Sequence, residues 1–446
     1  MERRTEHLTL ITIMKRTLLP ILLFAISLMA GAQTAREEIH NNVLFSGSNH
    51  MAYVAPDKPL TPAPKGYEPF YMDHYGRHGS RWLINKDEYT TPLEKLRTAH
   101  DFGKLTPLGE EVLQKLERFY PTTVNRLGEL SDIGEQQHHG IGKRMTQNFP
   151  EIFSGKTAEV DARSTVVIRC ILSMEAECEE ITAFNPNLKI HNDVSESFQY
   201  YLNHDWDGKV KESGRKAGRY IDEYRNRYTH PERLCSSLFN DDSYWQHPEF
   251  RAASFMRSLF NVATNMQSHS FGEDLYSIFT KEEIYDLWRI VNIQWYLRYG
   301  PAPQTDGNMP FNQRFLLRNM IATADTVFQS KTYTNGASLR FGHEVCVMPL
   351  ACLMELDSCG VKVNDLDNLD SYWVNYRIYP MACNVQMVFY RPKKTKAGQL
   401  RVEDVLVKVL LNEKEARLPI STDQYPYYRW TDLRRYYLQK LDAFEQ

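Results

Sequence analysis

The alternation of apolar and polar positions divides the chain into two kinds of segment. Between residues of about 40 and 185, short apolar and aromatic runs alternate with segments of helical period, as βα units do. Glu68–Tyr75 is rich in aromatic residues and reads as a strand entering a loop, and Val160–Thr165 reads as a strand that turns into a helix through Arg169–Met174. From about 195 to 330 the pattern is mostly helical; Glu282 to Arg298 alternates apolar and charged positions at helical spacing. Strand signals return at Ser338–Gly342, Asn384–Tyr390 and Val405–Leu411. The apolar run Val345–Met354 predicts a buried helix that Pro349 kinks. The predicted architecture is an α/β domain over 33–190 and 335–446, interrupted by a helical insert over 191–334. No internal repeat or low-complexity linker interrupts it, and its length suits two subdomains better than one core.

The N-terminus adds a location. Met14-Lys15-Arg16 opens a signal-like pattern, and the apolar run Leu18–Ala30 is short for a membrane-spanning helix. Ala30-Gly31-Ala32 before Gln33 is an A-x-A cleavage pattern. The expectation is a signal peptide over 1–32 with its true start at Met14, and a periplasmic or secreted protein without a stable membrane span; an uncleaved anchor is the rival reading. Beyond residue 32 the chain has 49 basic and 54 acidic residues, a net of −5. This excludes a globally basic nucleic-acid binder, so any site for an anion must be local. Seven cysteines leave at least one free thiol and show no C-x-x-C zinc pattern. Export permits disulfides, with Cys352 or Cys359 to Cys383 as the candidate pairing.

The densest chemistry is Arg77-His78-Gly79-Ser80-Arg81. Guanidinium forks match two phosphate oxygens at once, and a histidine between two forks would face the phosphorus. Gly79 would let the backbone approach the anion. Gly342-His343-Glu344 ends a second strand at a helix start, where free N–H groups favour an anion. There His343 could donate to phosphate and Glu344 could carry a leaving group's proton. Arg169, one turn into the helix after Ser164-Thr165, offers a further phosphate contact. Each element has a plainer reading: a basic surface loop, a helix cap beside a core histidine, and an exposed helix arginine.

Taken in order, four elements resemble the histidine acid phosphatase family, branch two of the histidine phosphatases, nearest to phytases and multiple inositol polyphosphate phosphatases. They are R-H-G-x-R at 77–81, the segment from Gly128 through Leu130, Gly134 and Gln137 to His138, followed by Gly142-Lys143-Arg144, the run from Ser164-Thr165 through Arg169 to Ser173, and G-H-E at 342–344. Ser131 stands where the family's second pattern has threonine. The resemblance implies a phosphoglycerate-mutase-like α/β domain with a helical insert and the active site between the two parts. It implies His78 as the nucleophile that becomes phosphohistidine, Arg77, Arg81, Arg169 and His343 as phosphate ligands, and Glu344 as proton donor, with no metal and no cofactor.

Two departures stand out. Trp82-Leu83 follows the second arginine, where the family often has proline two residues on. Glu344 follows His343 directly, whereas many phytases carry His-Asp and the inositol polyphosphate group His-Ala-Glu. Asp73 is an alternative acid.

The implied activity is a metal-independent acid phosphomonoesterase acting on inositol polyphosphates such as phytate, and also on 2,3-bisphosphoglycerate. Alternatives are a general acid or sugar phosphatase, a silent phosphate-binding surface protein, and a mutase-like role. The basic segment Lys209–Arg219 could hold non-reacting phosphates or be a solvated face. His204-Asp205-Trp206-Asp207 reads as a surface turn, His138-His139 as no ligand pair, and His74 as either pocket lining or structural.

Overall fold

The computed structural model describes residues 33–155, 158–330, 335–396 and 398–446. The expected signal segment lies outside the described residues. The strands are β1 (Tyr67–Arg77), β2 (Glu159–Ser164), β3 (Lys189–Val194), β4 (Gly336–Gly342), β5 (Asn384–Pro392), β6 (Leu406–Leu411), β7 (Lys414–Glu415) and β8 (Tyr428–Arg429). They form one sheet in the order β3-β2-β4-β1-β5-β6-β7, with β8 on β6. β3, β2, β4 and β1 run parallel to one another, while β5 and β6 continue antiparallel.

Among the described residues, the α-helices of eight residues or more are α1 (Lys86–Asp101), α2 (Pro107–Phe119), α3 (Asp132–Asn148), α4 (Ile168–Phe184), α5 (Gly208–Arg215), α6 (Ala217–Tyr228), α7 (Ala252–Met266), α8 (Lys281–Tyr299), α9 (Arg314–Gln329), α10 (Glu344–Leu353) and α11 (Trp430–Glu445). α10 begins one residue before the predicted apolar run, with Pro349 inside it.

The central strands are buried on both faces because helices cover both. Val160, Leu339, Phe341 and Met72 pack with Ile141 and Met145 of α3 and Ile181 of α4. Tyr71, Tyr75 and Phe389 face the other layer, with Phe328 of α9, Val347 of α10 and Trp430 of α11. Asp73 of β1 is fixed to Arg340 of β4 at 2.6 Å inside the sheet. A third cluster joins Leu93 and Leu96 of α1 and Val112 of α2 to Phe255 and Leu259 of α7 and Trp288 of α8. The helical layer therefore takes helices from before β2 as well as from 191–334, and β3 carries the sheet on to Val194.

All seven cysteines are buried free thiols, so the pairing of Cys352 or Cys359 with Cys383 does not form. The three sulfurs are packed among apolar side chains of one cluster, where they serve as small hydrophobic residues.

Candidate functional site

Three parallel strands deliver the candidate residues to one place. β4 lies between β1 and β2, with Arg77 opposite Gly342 and Ser164 opposite Phe341. Their carboxyl ends therefore release Arg77-His78, Ser164-Thr165 and Gly342-His343 side by side. This is the usual ligand position in an open α/β sheet. Backbone bonds fix the exit of β1: His78 N–H donates to Gly342 O at 3.0 Å, and Ala382 N–H donates to His78 O at 3.0 Å.

The imidazole of His78 is held in one tautomer. Nδ1 lies 2.9 Å from Gly79 O. A carbonyl only accepts, so Nδ1 carries the proton and Nε2 keeps its lone pair. Nε2 is buried without a hydrogen-bond partner, 3.7 Å from Glu344 Oε2. Burial pushes the pKa of His78 well below its ordinary value, and Arg169, Arg77, Arg81 and His343 push it the same way. The ring is neutral and aimed.

The Gly128–His138 segment holds this loop. Ser131 and Ser80 form a clamp in which Ser131 N–H and Oγ both donate to Ser80 O, at 2.9 and 3.0 Å. Gln137 accepts from Ser80 N–H at 2.9 Å and donates to Ser80 Oγ at 3.0 Å. Ser173 Oγ accepts from Gly79 N–H at 3.2 Å. The contact is so close that a Cβ on Gly79 would lie 2.3 Å from Gly134 O, and one on Gly134 would lie 2.2 Å from Ser80 O. Both glycines are required by approach rather than by turn geometry. Beyond the second arginine, Trp82 N–H donates to Glu129 O at 3.1 Å. Leu83, two residues beyond Arg81 where the histidine acid phosphatase pattern often has proline, donates its N–H to Tyr89 OH at 2.7 Å, while the indole of Trp82 stacks on His269 at 3.6 Å.

The guanidiniums surround the imidazole with free donors. Arg77 gives Nη1 to Tyr379 O at 3.2 Å and leaves Nη2 buried without a partner. Its Nε lies 3.0 Å from Glu344 Oε2 as an ion pair, off the angle of a hydrogen bond. Arg81 gives Nη1 to Trp82 O at 2.9 Å, and burial pushes its pKa down to about 10. Arg169 gives Nη1 to Gly128 O at 3.2 Å, and its Nε is unpartnered. Unmet donors on three cations around one lone pair are the groups a phosphate would satisfy.

His343 and Glu344 complete the ring. His343 is the N-cap of α10; its Nε2 lies 3.4 Å from Thr165 Oγ1 and its ring is edge-on to His78 at 5.6 Å. Burial lowers its pKa to about 4 against the opposing pull of Glu344. For Glu344, burial favours the neutral acid, but Arg77 and Arg81 outweigh it and hold the carboxyl at about 2. His78, His343 and Glu344 place ligand atoms within 4.8 Å of one another, a metal-like spacing. The three guanidiniums around them oppose a cation there.

The other expected residues fall elsewhere. Asp73 is four residues back along β1, buried and committed to Arg340, with burial raising its pKa to about 7. His74 is buried against Phe341 rather than exposed to a pocket, and burial lowers its pKa to about 4. His138 of α3 pairs with Glu177 of α4 at 2.7 Å beside Phe341 of the sheet, and His139 with Glu180 at 3.0 Å. Asp205 is taken by Arg314 at 2.5 Å. In the 209–219 segment, Lys216 is paired with Asp306 at 2.7 Å and Lys209 donates to Phe444 O at 2.9 Å.

Asn265 was not legible as a site residue. It is fully buried on α7, donates to Arg81 O at 3.0 Å and accepts from Tyr89 OH at 2.8 Å. In the sequence it is one of two asparagines, with Asn261, in a helical stretch that carries no motif.

No protein-family model matches the chain, and no curated protein matches it. Solved structures do. The multiple inositol polyphosphate phosphatase of Bifidobacterium longum, in complex with inositol hexasulfate, superposes with a TM-score of 0.68 at 18% identity, over 87% of this chain and 96% of that one. The chain has the fold of these phosphatases. The phytase of D. castellii gives a TM-score of 0.64 at 13% identity, over 90% and 85% of the two chains. The phytase of Hafnia alvei gives 0.53 at 13%, over 85% and 98%. At such identity the likeness is one of fold. No helix among the described residues is long and apolar enough to cross a membrane.

Proposed function

We propose that the protein is an exported phosphomonoesterase that works through a phosphohistidine on His78 and acts on inositol polyphosphates. The observation that carries this reading is the free, deprotonated Nε2 of His78, ringed by Arg77, Arg81, Arg169 and His343 with Glu344 at 3.7 Å. The arginines take the phosphate oxygens and spread the charge of the transition state. Nε2 attacks phosphorus in line; the N–P bond forms as the P–O bond breaks, and Glu344 gives its proton to the leaving oxygen. Glu344 then takes a proton from water, whose oxygen attacks phosphorus and frees His78.

The charge on Glu344 fits this cycle only when substrate is bound. In the empty site the carboxyl is ionised because Arg77 and Arg81 face it. A phosphate on those arginines removes their stabilising field and adds negative charge beside the carboxylate. Both effects raise its pKa toward the working range of a general acid.

Support for the substrate class comes from the fold shared with phytases and an inositol polyphosphate phosphatase. A general phosphomonoesterase is the second reading. It draws on Val166, Ile168 and Leu172, exposed apolar neighbours of Arg169 along the chain, as contacts for an apolar ester body.

The test is phosphate release from phytate at mildly acid pH in excess EDTA. Release by the wild type and none by His78→Ala is expected. Equal release by both would overturn the nucleophile assignment, and release from small aryl phosphates only would favour the second reading.

A further inference from the structure

A cavity of about 280 Å³ in the helical layer is lined by Ser46 to His50, Glu88, Arg225, Arg257 and the polar face of α7, with Phe260 of α7 and Leu287, Ile290 and Val291 of α8 as its apolar wall. Away from the cavity α7 is apolar at Phe255, Met256, Leu259, Val262 and Ala263. Its remaining face carries Ser254, Arg257, Ser258, Asn261 and Thr264 into the cavity, and Asn265 beside them donates to Arg81 O. These positions recur three and four apart, so they form one stripe roughly 16 Å long ending at the catalytic loop.

The inner end of the cavity lies within the field of the catalytic arginines. His50 lines it, and Arg81 and Arg77 add to the burial that keeps this ring neutral. Its Nδ1 contacts Thr264 Oγ1 at 3.0 Å. Glu88, the one carboxylate lining the cavity, is engaged by Asn85 N–H at 2.9 Å and by Asn261 at 3.2 Å.

The outer end holds two cations, Arg225 with one exposed carboxylate partner and Arg257 with none among the described residues. Arg225 donates to Gln294 at 2.8 Å and has Asp222 at 3.5 Å. Arg257 donates only to Thr229 Oγ1 at 3.2 Å, and no carboxylate among the described residues pairs with it. Burial and the neighbouring Arg225 both lower its pKa. Two half-buried guanidiniums repel each other unless an anion lies between them, and hydroxyl and amide donors beside them suit phosphate oxygens.

We propose that this cavity is a second phosphate subsite, in which Arg257 and Arg225 hold a non-reacting phosphate of a polyphosphorylated substrate whose scissile phosphate is on His78. It rests on the phosphatase reading above, and assigns the task to these two arginines rather than to the 209–219 segment.

The test compares phytate with 4-nitrophenyl phosphate, which has no second phosphate, in the wild type, Arg257→Gln and Arg225→Gln. Loss of a charge-assisted contact should raise KM for phytate about tenfold or more. Turnover of the aryl ester should stay within about twofold, which also reports folding. An equal fall on both substrates, or no change on phytate, overturns the proposal. Should the wild type cleave the aryl ester but not phytate, the inositol phosphate reading has failed, and calorimetry with inorganic phosphate decides the subsite. Two equivalents bound by the wild type and one by Arg257→Gln support a phosphate subsite; one equivalent for both overturns it. Two equivalents together with an unchanged phytate KM would make it a site for free phosphate and overturn the substrate assignment.

Discussion

Arg77 Nε stands 3.0 Å from Glu344 Oε2, and this pair links the end of β1 to the start of α10. It compensates a buried guanidinium and helps hold the carboxyl ionised, a pairing that phosphate would displace in the proposed cycle.

The first consequence concerns Glu344 itself. Glu344→Gln removes the proposed proton donor but keeps the shape. Alkyl phosphates such as phytate, which need their leaving oxygen protonated, should slow by about 10²-fold or more, and activated aryl phosphates by much less. Comparing kcat on the two classes checks this; an equal loss on both would exclude the proton-donor role.

Stability should follow the same charges. The folded pKa of Glu344, about 2, lies below its ordinary 4.5, and that of His343, about 4, below 6.5. A depressed folded pKa means that the unfolded chain binds protons first, so stability is complete above the ordinary value and is lost as pH falls through the folded one. Tm should therefore decline from about pH 6.5 downward, first through the histidines and then through Glu344. Inorganic phosphate should raise Tm most where the site is otherwise empty and charged. A Tm that is flat over this range would contradict the assigned charge states.

The clamp can be tested by one methyl group. Alanine in a helix interior normally stabilises by about 1 kcal/mol relative to glycine. At Gly134 the added Cβ would lie 2.2 Å from Ser80 O and must push the loop aside. Gly134→Ala should lower kcat by about 10²-fold through displacement of His78, while the protein remains folded by circular dichroism. Unchanged kcat would show that the loop is not positioned by α3.

Asp73 provides the opposite control. Its carboxylate is buried against Arg340 at 2.6 Å, away from His78. Breaking such a pair from one side costs about 3–5 kcal/mol. Arg340→Met should show that loss in urea unfolding, and Asp73→Asn combined with Arg340→Met should recover much of it. Phosphate release per folded molecule should be retained in the double variant, which would remove Asp73 as an alternative acid.

Much of this site was legible in the sequence because its chemistry is local. Arg77, His78 and Arg81 lie within five residues, and Gly342-His343-Glu344 marks a strand end followed by an apolar helix. The strands that carry them were visible as short apolar runs. What the Gly128–His138 segment does was not, because its contacts with Ser80 span 51 and 57 residues and depend on the approach of two glycines. Asn265 meets Arg81 across 184 residues. The charge state of Glu344 was equally hidden, since it follows from how two distant segments place Arg77, Arg81 and the carboxylate in one buried volume.

The most direct test of the account is to mix enzyme with phytate, quench in alkali within the first turnovers, and map the phosphoryl group by mass spectrometry. Phosphohistidine is stable to alkali, so the account predicts the phosphoryl group on the peptide holding His78, with none in His78→Ala. A phosphoryl group on another residue, or full turnover with no phosphoenzyme in either protein, would contradict it.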